Sequence, residues 1–395
     1  MAERIEEKVK GFIWKKILCS FVNSTQKSGL KTIILIFSSG EGNCGEEWTT
    51  DIESYNDPLI ALRVAVEYSK SKRIDPLDET DHPYNGLSCD QIKNSFTESS
   101  IKIFLVEEDK EKFDRLVENA KLVITKYDVQ VASYEVRKGE HFLVTGYGEV
   151  TVGCHLINKS FEEEDIPKVK TLERMISYID PFDNKISFEQ IQNLVGEGKE
   201  VFITSNVNTI QNLTNHEIDT LHGLPGGNPD NIKNLLKLYE ENLKKETVAK
   251  YSLPFEVRKK TTSLFHAIFA SRSEDGFIAM KEAIYGNAKK KVDAFSLSDY
   301  NIIVKEDEIN LKNGPSEETV KDVIFNKFKG QRNISLRKIR DFIIQDTHYM
   351  WRSKPLILLE KGRKIDVRCI DKLRKRKCTF PENMLDNMYL DFKAL

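Results

Sequence analysis

The chain has 395 residues, of which 39% are hydrophobic and 31% are charged, and its net charge is −2. This composition is typical of a folded globular protein and excludes a disordered chain. No apolar run reaches the roughly 20 residues that a membrane-spanning helix needs. The N-terminal segment carries acidic residues and lacks the continuous apolar core of a signal peptide, so we expect a cytoplasmic protein with no membrane partner.

The six cysteines and seven histidines give no metal-binding pattern. No CxxC pair is present, and a structural zinc site would need closer ligand spacing. We therefore predict free thiols in a reducing compartment and no metal site.

Strand and helix patterns alternate from the N-terminus. Helical spacing over residues 3–22 is followed by the apolar run Thr32–Phe37, which predicts a strand buried on both faces. A helix is predicted from Pro58. The strand Ile101–Val106 and a helix from Lys110 then repeat the pattern.

The second part of the pattern is less regular. Residues 71–98 are rich in Asp, Pro and Asn and predict a surface insertion, and residues 127–139 predict a third strand. A fourth strand ends at Asp180, and a helix follows from Ser187. A fifth strand is predicted at 200–206.

A helix at 228–248, an antiparallel strand pair and a helix beginning at Phe277 complete this region. Alternation of strands and helices predicts an α/β fold, a Rossmann-like parallel sheet with helices on both faces. We assign this domain to residues 1–290 and a linker to residues 291–315.

Residues 316–395 show a different pattern, with three short helices followed by two strands around a basic turn. This order predicts a winged-helix domain. From Leu311 to Leu395 there are 20 Lys and Arg residues against 11 Asp and Glu residues, although the whole chain is slightly acidic. The excess of positive charge favours nucleic acid as a partner of this domain. Alternatively, the basic residues form a solvated face or dock on the acidic body. The predicted contact residues are Arg337, Lys338, Arg340, Arg374, Lys375, Arg376 and Lys377.

Glycines, an acid and an Asp-Pro-Phe element follow three predicted strands. Ligands bind at the carboxyl ends of strands in such sheets. The loop at Gly40 and Gly42 would let the backbone approach a ligand, and Glu107 would accept hydrogen bonds from ribose hydroxyls. The loop lacks the GxGxxG pattern and a phosphate-binding lysine, which favours S-adenosylmethionine (SAM) over a dinucleotide. A tight turn that binds nothing remains the alternative.

Asp180, Pro181 and Phe182 end the predicted fourth strand. At that position Asp180 could accept a hydrogen bond from an amine, while the Phe182 ring stacks on a planar group. This arrangement resembles the acidic Pro-Pro-aromatic element of amino-methyltransferases. In the simpler alternative, Asp180 only caps the following turn.

Several segments together resemble the three-Cys-motif partner (TcmP) family of SAM-dependent methyltransferase-like proteins. The segments are NDPLIAL at 56–62, VEED at 106–109, IDPF at 179–182 and the tail segment LILLEKGRKIDV. The resemblance implies a SAM-dependent methyltransferase and a three-Cys-motif partner protein. It also implies a cofactor site that includes Ser38, Ser39, Gly40, Gly42, Glu107 and Asp109.

Two departures from the family pattern favour a second hypothesis. The first strand lacks the family's aspartate, and Glu41 replaces a proline in its loop. A degenerate Rossmann body that binds nucleic acid and recruits a partner enzyme is therefore the alternative function. A third hypothesis is an enzyme that uses another nucleotide ligand in the same crevice.

Overall fold

A computed structural model describes most of the chain. It covers residues 2–37, 57–71, 88–126, 132–137, 139–147, 150–160, 166–179, 186–206, 232–259, 262–285, 296–298, 301–304, 317–347, 349–370 and 379–394. The chain divides into two compact units, Met1–Ile284 and Tyr285–Leu395. Among the helices described, none combines the length and the apolar character needed to cross a membrane.

The first unit consists of helices and a large sheet. Its helices are α1 (Ala2–Lys27), α2 (Asp57–Ser71), α3 (Cys89–Glu98), α4 (Lys110–Thr125), α5 (Phe188–Gln192), α6 (Ile232–Glu246) and α7 (Glu274–Tyr285). Its strands are β1 (Lys31–Phe37), β2 (Ile101–Val106), β3 (Ala132–Arg137), β4 (Glu140–Tyr147), β5 (Val150–Ile157), β6 (Glu173–Ile179), β7 (Lys199–Asn206), β8 (Tyr251–Lys259) and β9 (Thr262–Ser271).

The strands lie in the order β8-β9-β7-β6-β1-β2-β5-β4-β3. β1 pairs in parallel with both β2 and β6, and β2–β5 and β6–β7 are also parallel. β9 is antiparallel to β7 and to β8. With β3 and β4 left aside, the remaining strands numbered along the chain follow the order 3-2-1-4-5-7-6. This is the dinucleotide-binding order 3-2-1-4-5-6 with one antiparallel strand inserted, so the sheet is Rossmann-like.

Helices cover both faces of this sheet, as predicted. Neighbouring residues of a strand point to opposite faces, and β7 illustrates this. Phe202 faces α1, where its ring stacks on Trp14 with ring centres 5.8 Å apart. Val201 and Ile203 belong to a core cluster with Tyr239 of α6. The expected α/β sheet with helices on both faces is therefore confirmed.

The third parallel strand is not where the sequence predicts it. The segment 127–139 contains β3, which forms an antiparallel meander with β4 and β5. The strand that pairs in parallel with β2 on the side away from β1 is β5. β4 and β5 are not predicted from the sequence because this stretch consists of short segments with no long apolar run.

The end of the predicted surface insertion 71–98 is a helix that packs on the sheet, so that prediction is wrong for residues 89–98. Ser88 caps α3, and Ile92 and Phe96 are buried against Phe142. The Phe96 ring meets the Phe142 ring edge-on at 5.2 Å. Residues 72–87 lie outside the described residues.

His155 of β5 completes this aromatic cluster. Its ring stacks on Phe142 with centres 4.1 Å apart. Burial lowers the pKa of His155 from about 6.5 to about 4, and the charges of Lys159 and Lys93 act in the same direction. Its Nε2 atom is buried and has no hydrogen-bond partner among the described residues, so the neutral ring suits the site.

Two ion pairs lie near the amino ends of the parallel strands. Lys102 Nζ of β2 donates to Glu173 Oε1 of β6 at 2.8 Å, and both residues are buried. Arg174, the next residue of β6, pairs with Glu200 of β7. A Cβ atom at Gly276 of α7 would overlap the Glu200 carboxylate, so this helix can approach the pair only with glycine there.

The second unit has its own core. Its helices are α8 (Glu317–Phe328), α9 (Leu336–Gln345) and α10 (Lys354–Lys361), and a 3₁₀ turn spans Glu382–Met384. Its strands are β10 (Ser296–Ser298), β11 (Asn301–Val304), β12 (Ile334–Ser335), β13 (Ile365–Cys369) and β14 (Met388–Phe392). β12, β14 and β13 form an antiparallel sheet in that order. Ile324, Ile339, Leu356 and Leu390 belong to its buried cluster.

Two predictions for this region need correction. The predicted linker 291–315 contains the antiparallel hairpin β10–β11. The second strand of the basic ribbon was expected before residue 381 but is β14, which begins at Met388. β14 is not predicted from the sequence because its short alternating pattern, with every second residue buried, follows a Pro-containing turn.

We predict that replacing His155 by Phe reduces the loss of stability at acidic pH. Since the pKa is lower in the folded state, unfolding takes up a proton, and stability falls as the pH drops from about 6.5 towards 4. At pH 5 this difference in pKa lowers the free energy of unfolding of the wild type by about 2 kcal/mol. Urea unfolding of wild type and His155→Phe at pH 8 and pH 5 measures it. An equal acid-induced loss in both proteins would contradict the prediction.

Candidate functional site

The carboxyl ends of the parallel strands meet at one edge of the sheet. Phe37 of β1 lies opposite Val106 of β2, and Val106 lies opposite Ile157 of β5. On the other side of β1, Ile36 lies opposite Tyr178 of β6. The strand order reverses at β1, whose neighbours are β2 and β6. Ligands of open α/β sheets bind at such a switch point.

Two of the predicted site segments begin at this edge. Ser38, Ser39, Gly40 and Gly42 follow Phe37 along the chain, and Asp180, Pro181 and Phe182 follow Ile179. All seven residues lie outside the described residues, so their roles stay predictions. The two residues that precede them, Phe37 and Ile179, lie at the edge where the ligand was expected.

Glu107 is the predicted site residue that the structure places most clearly. It follows β2 and is 4% exposed. Its backbone N–H donates to the Ile157 carbonyl at 2.9 Å, and its Oε1 accepts from the Asp109 N–H at 3.0 Å. A buried carboxylate needs such donors. A carboxylate has about four acceptor positions, so Glu107 can accept from more than one donor at a time.

Asp109 caps helix α4. Its Oδ1 accepts from the Lys112 N–H at 3.0 Å, which satisfies one of the donors left open at a helix N-terminus. This hydrogen bond is the main cause that lowers the pKa of Asp109. The side chain is exposed. Its geometry is that of a capping residue. A contact between Asp109 and the cofactor stays a prediction.

Asn158, the first residue after β5, is a site residue that sequence reasoning missed. Its Nδ2 donates to the carbonyl oxygens of Glu107 at 2.8 Å and of Glu108 at 3.1 Å. Ser160 Oγ donates to Glu108 Oε2 at 3.1 Å. An Asn directly after a strand parallel to β2 would have been a signal, but the third strand was predicted too early in the chain.

The predicted basic residues of the second unit have different environments. Arg337 forms a bidentate pair with Asp386, in which Nη2 lies 2.6 Å from Oδ2. Lys338 is exposed, whereas the Arg340 side chain is 15% exposed and lies 3.4 Å from Asp341. Arg374, Lys375, Arg376 and Lys377 lie outside the described residues.

Further exposed cations were not singled out from the sequence. They lie before helix α10, at its C-terminal end and just beyond it, and in the turn before β12: Arg352, Lys361, Arg363, Lys329 and Arg332. The described residues contain no group of three or more His, Cys, Asp or Glu side chains that could hold a metal ion.

Comparisons with known proteins give only distant structural similarity. No family model matches the sequence, and neither does any curated protein. Trm1 from Pyrococcus horikoshii, in complex with S-adenosyl-L-methionine, is 11% identical, with 80% of this chain and 70% of that chain covered and a TM-score of 0.35. The plantazolicin methyltransferase BpumL, in complex with SAH, is 10% identical, with 69% and 88% covered and a TM-score of 0.27. Such values assign no function, and membership of the TcmP family stays a prediction.

We predict that Asp109→Ala lowers the melting temperature, whereas Asp109→Asn preserves most of it. Asn is as good an N-cap as Asp, and Ala is not. Because the pKa of Asp109 is lowered in the folded state, its ionised form stabilises the fold above the ordinary Asp pKa of about 4. That contribution is lost as the pH falls through the lower, folded-state pKa. Thermal melts at pH 7 and pH 3 measure both effects, and equal melting of the Ala variant and wild type at pH 7 would contradict the capping role.

Proposed function

We propose that the first unit is a SAM-dependent methyltransferase. The observation that carries this proposal is the buried carboxylate of Glu107 at the carboxyl end of β2, in a sheet with the Rossmann-like strand order 3-2-1-4-5-7-6. An acid in this position can accept hydrogen bonds from both ribose hydroxyls of a nucleoside. Glu107 is only 4% exposed and so is largely shielded from water, which strengthens such hydrogen bonds.

Residues at the ends of β1 and β2 would hold the cofactor. Glu107 would bind the ribose, and Asp109 would support the turn that carries it. Ser38, Ser39, Gly40 and Gly42 would bring the backbone close to the methionine part, since glycine permits close approach. When bound, SAM supplies an electrophilic methyl group.

The end of β6 would position the methyl acceptor. In this proposal Asp180 accepts a hydrogen bond from an amine of the acceptor, and Phe182 stacks on a planar ring beside it. Pro181 fixes the backbone between these two side chains. An amine is already a nucleophile, so orientation and exclusion of water supply much of the rate enhancement that such a transfer needs.

We predict that the protein binds SAM and S-adenosylhomocysteine (SAH), and that Glu107→Ala weakens binding of both by about 10- to 100-fold. Hydrogen bonds to a charged group are worth about 1.5–3 kcal/mol, which corresponds to that range. Glu107→Gln is the matched variant, because its amide oxygen can still accept from the Asp109 N–H while the charge is lost. It should bind with intermediate affinity. Isothermal titration calorimetry measures all three proteins.

The possible results separate the hypotheses. Equal affinities of wild type and Glu107→Ala would overturn the ribose assignment. No binding by the wild type would favour the alternative, a degenerate Rossmann body that recruits a partner enzyme. That alternative is motivated by Glu41 and by the aspartate missing from the first strand. Binding of a different nucleoside instead would favour the third hypothesis.

We further propose that the second unit is a winged helix that binds nucleic acid. Along the chain it has the order α8, β12, α9, α10, β13 and β14, and its sheet has the order β12-β14-β13. Three helices and a β-ribbon in this order support a winged helix. Arg374, Lys375, Arg376 and Lys377 lie between the two ribbon strands along the chain, where the wing would be.

The basic residues of this unit would contact phosphate groups. Lys338 on α9 is exposed and can do so directly. Arg337 is held by Asp386, so it would have to exchange that partner for a phosphate or act only in support of the fold. A cytoplasmic three-Cys-motif protein remains the proposed protein partner, on the basis of the resemblance alone.

We predict that replacing the four wing cations by Gln weakens nucleic-acid binding and makes it less sensitive to salt. Each phosphate contact contributes about −0.9 to the slope of log K against log salt for duplex DNA, so the slope should decrease by up to about 4 in magnitude. Fluorescence polarisation with labelled duplex DNA and with single-stranded RNA, over a range of salt, measures this effect.

The control replaces four exposed or partly exposed lysines of the first unit by Gln: Lys110, Lys121, Lys244 and Lys245. It has the same change in net charge, so it should leave the slope unchanged. If both variants lose affinity equally, the effect is one of net charge, and the wing assignment is wrong. If the wild type binds neither nucleic acid, the proposal for this unit fails.

A further inference from the structure

The turn Glu107-Glu108-Asp109 is held from a neighbouring strand. It follows β2, and Asn158 follows β5 in the same register, since Val106 lies opposite Ile157. The amide group of Asn158 has two hydrogens. Its nitrogen lies 2.8 Å from the Glu107 carbonyl oxygen and 3.1 Å from the Glu108 carbonyl oxygen. One side chain therefore binds two consecutive peptide groups of the turn.

The second of these peptide groups connects Asn158 to the Glu107 carboxylate. The peptide between Glu108 and Asp109 presents its carbonyl oxygen to Asn158 at 3.1 Å. The N–H of the same peptide donates to Glu107 Oε1 at 3.0 Å. Because a peptide group is planar, fixing the carbonyl also fixes the direction of the N–H. Hydrogen bonds in such a chain also polarise one another.

Asn158 is itself anchored. Its backbone N–H donates to the Gly139 carbonyl at 2.7 Å. Gly139 has a φ of +89°, and a Cβ there would lie 3.2 Å from the Asn158 Cβ. Because Gly139 has no side chain, its backbone can lie close to Asn158 and accept this hydrogen bond just before β4 begins. The side chain of Asn158 is only half-buried, so its hydrogen bonds matter more for its position than its packing does.

We propose that Asn158 is a positioning residue that orients the Glu107 carboxylate through the Glu108–Asp109 peptide. This inference deepens the proposed function and rests on it, because the carboxylate is oriented for the ribose of SAM or SAH. Ser160, which binds the exposed side chain of Glu108, does not contact this peptide and has no such role. Asn158 acts on the ligand only through Glu107.

The test compares wild type, Asn158→Ala, Asn158→Asp and the control Asn23→Asp. Asn23 Nδ2 also donates to a carbonyl oxygen, that of Cys19 at 2.7 Å. It lies on α1, whose C-terminal part contacts the amino end of β2 through Gln26 and Ser100. The control thus applies the same chemical change at the opposite end of the sheet. Melting curves check that each variant is folded.

We expect Asn158→Ala to bind SAH about 5-fold more weakly than wild type, as for the loss of an ordinary hydrogen bond. Asn158→Asp should bind more weakly still at pH 7.5, since an ionised carboxylate repels both carbonyl oxygens. The two carbonyl oxygens at this site favour the protonated form of the introduced carboxyl and should raise its pKa above the ordinary Asp value of about 4. As the pH falls to 5, protonation then restores a donor in part of the molecules, so the ratio of its affinity to that of wild type should recover in part. The ratio for Asn158→Ala should not change with pH. A purely structural role of the residue predicts no such difference.

Hydrogen exchange of the Asp109 amide gives a second, ligand-free measurement. It should be faster in both Asn158 variants than in wild type and unchanged in Asn23→Asp. If the wild type binds SAH and the Asn158 variants bind it equally well, the positioning role is overturned while the proposed function stands. If the wild type does not bind SAH, the proposed function fails, and with it the ligand role of Asn158. Unchanged exchange in the Asn158 variants would overturn the link through the peptide in either case.

Discussion

The parallel pairing of β1 with β2 and β6 is the constraint on which the rest of the first unit depends. β1 is buried from Thr32 to Phe37, so it can exist only between two strands and two layers of helices. Parallel pairing then brings the ends of its neighbours to the same edge, with Phe37 opposite Val106. The strands β1, β2 and β6, which are far apart in the sequence, therefore all end at this edge. The candidate site is thus a consequence of how one apolar strand is buried.

The acidic turn after β2 combines structural and chemical tasks. Asp109 begins helix α4, its N–H binds the Glu107 carboxylate, and Asn158 holds the peptide groups between them. Every hydrogen bond in this group uses backbone atoms on at least one side. Backbone groups move little compared with long side chains, and a carboxylate held by them has lost much of its freedom before any ligand arrives. Such prior ordering lowers the entropic cost of binding.

The alternation of strands and helices was enough to predict the sheet, its helical layers and the position of Glu107, because the runs Thr32–Phe37 and Ile101–Val106 are apolar except for Thr32 and Lys102. The β3–β5 meander was not predicted, since its strands carry polar residues and glycines and are defined by pairing across the sheet rather than by local pattern. Asn158 was missed for the same reason: its role depends on which strand lies beside β2. Helix α3 was not predicted because only two of its residues, Ile92 and Phe96, are apolar and buried. The winged-helix assignment and all nucleic-acid contacts stay predictions.

The two ion pairs at the amino ends of the strands restrict how β6 can align with its neighbours. Glu173 and Arg174 are adjacent and point to opposite faces of the sheet, where they meet Lys102 and Glu200. A slip of β6 by one residue in one direction would bring Arg174 next to Lys102. A slip in the other direction would bring Glu173 next to Glu200. Either error leaves buried charges without a partner of opposite sign, at a cost of about 3–5 kcal/mol. The two ion pairs therefore disfavour misaligned pairings of β6. Apolar residues of the same size would distinguish less between the correct and the shifted alignment, because they carry no sign of charge.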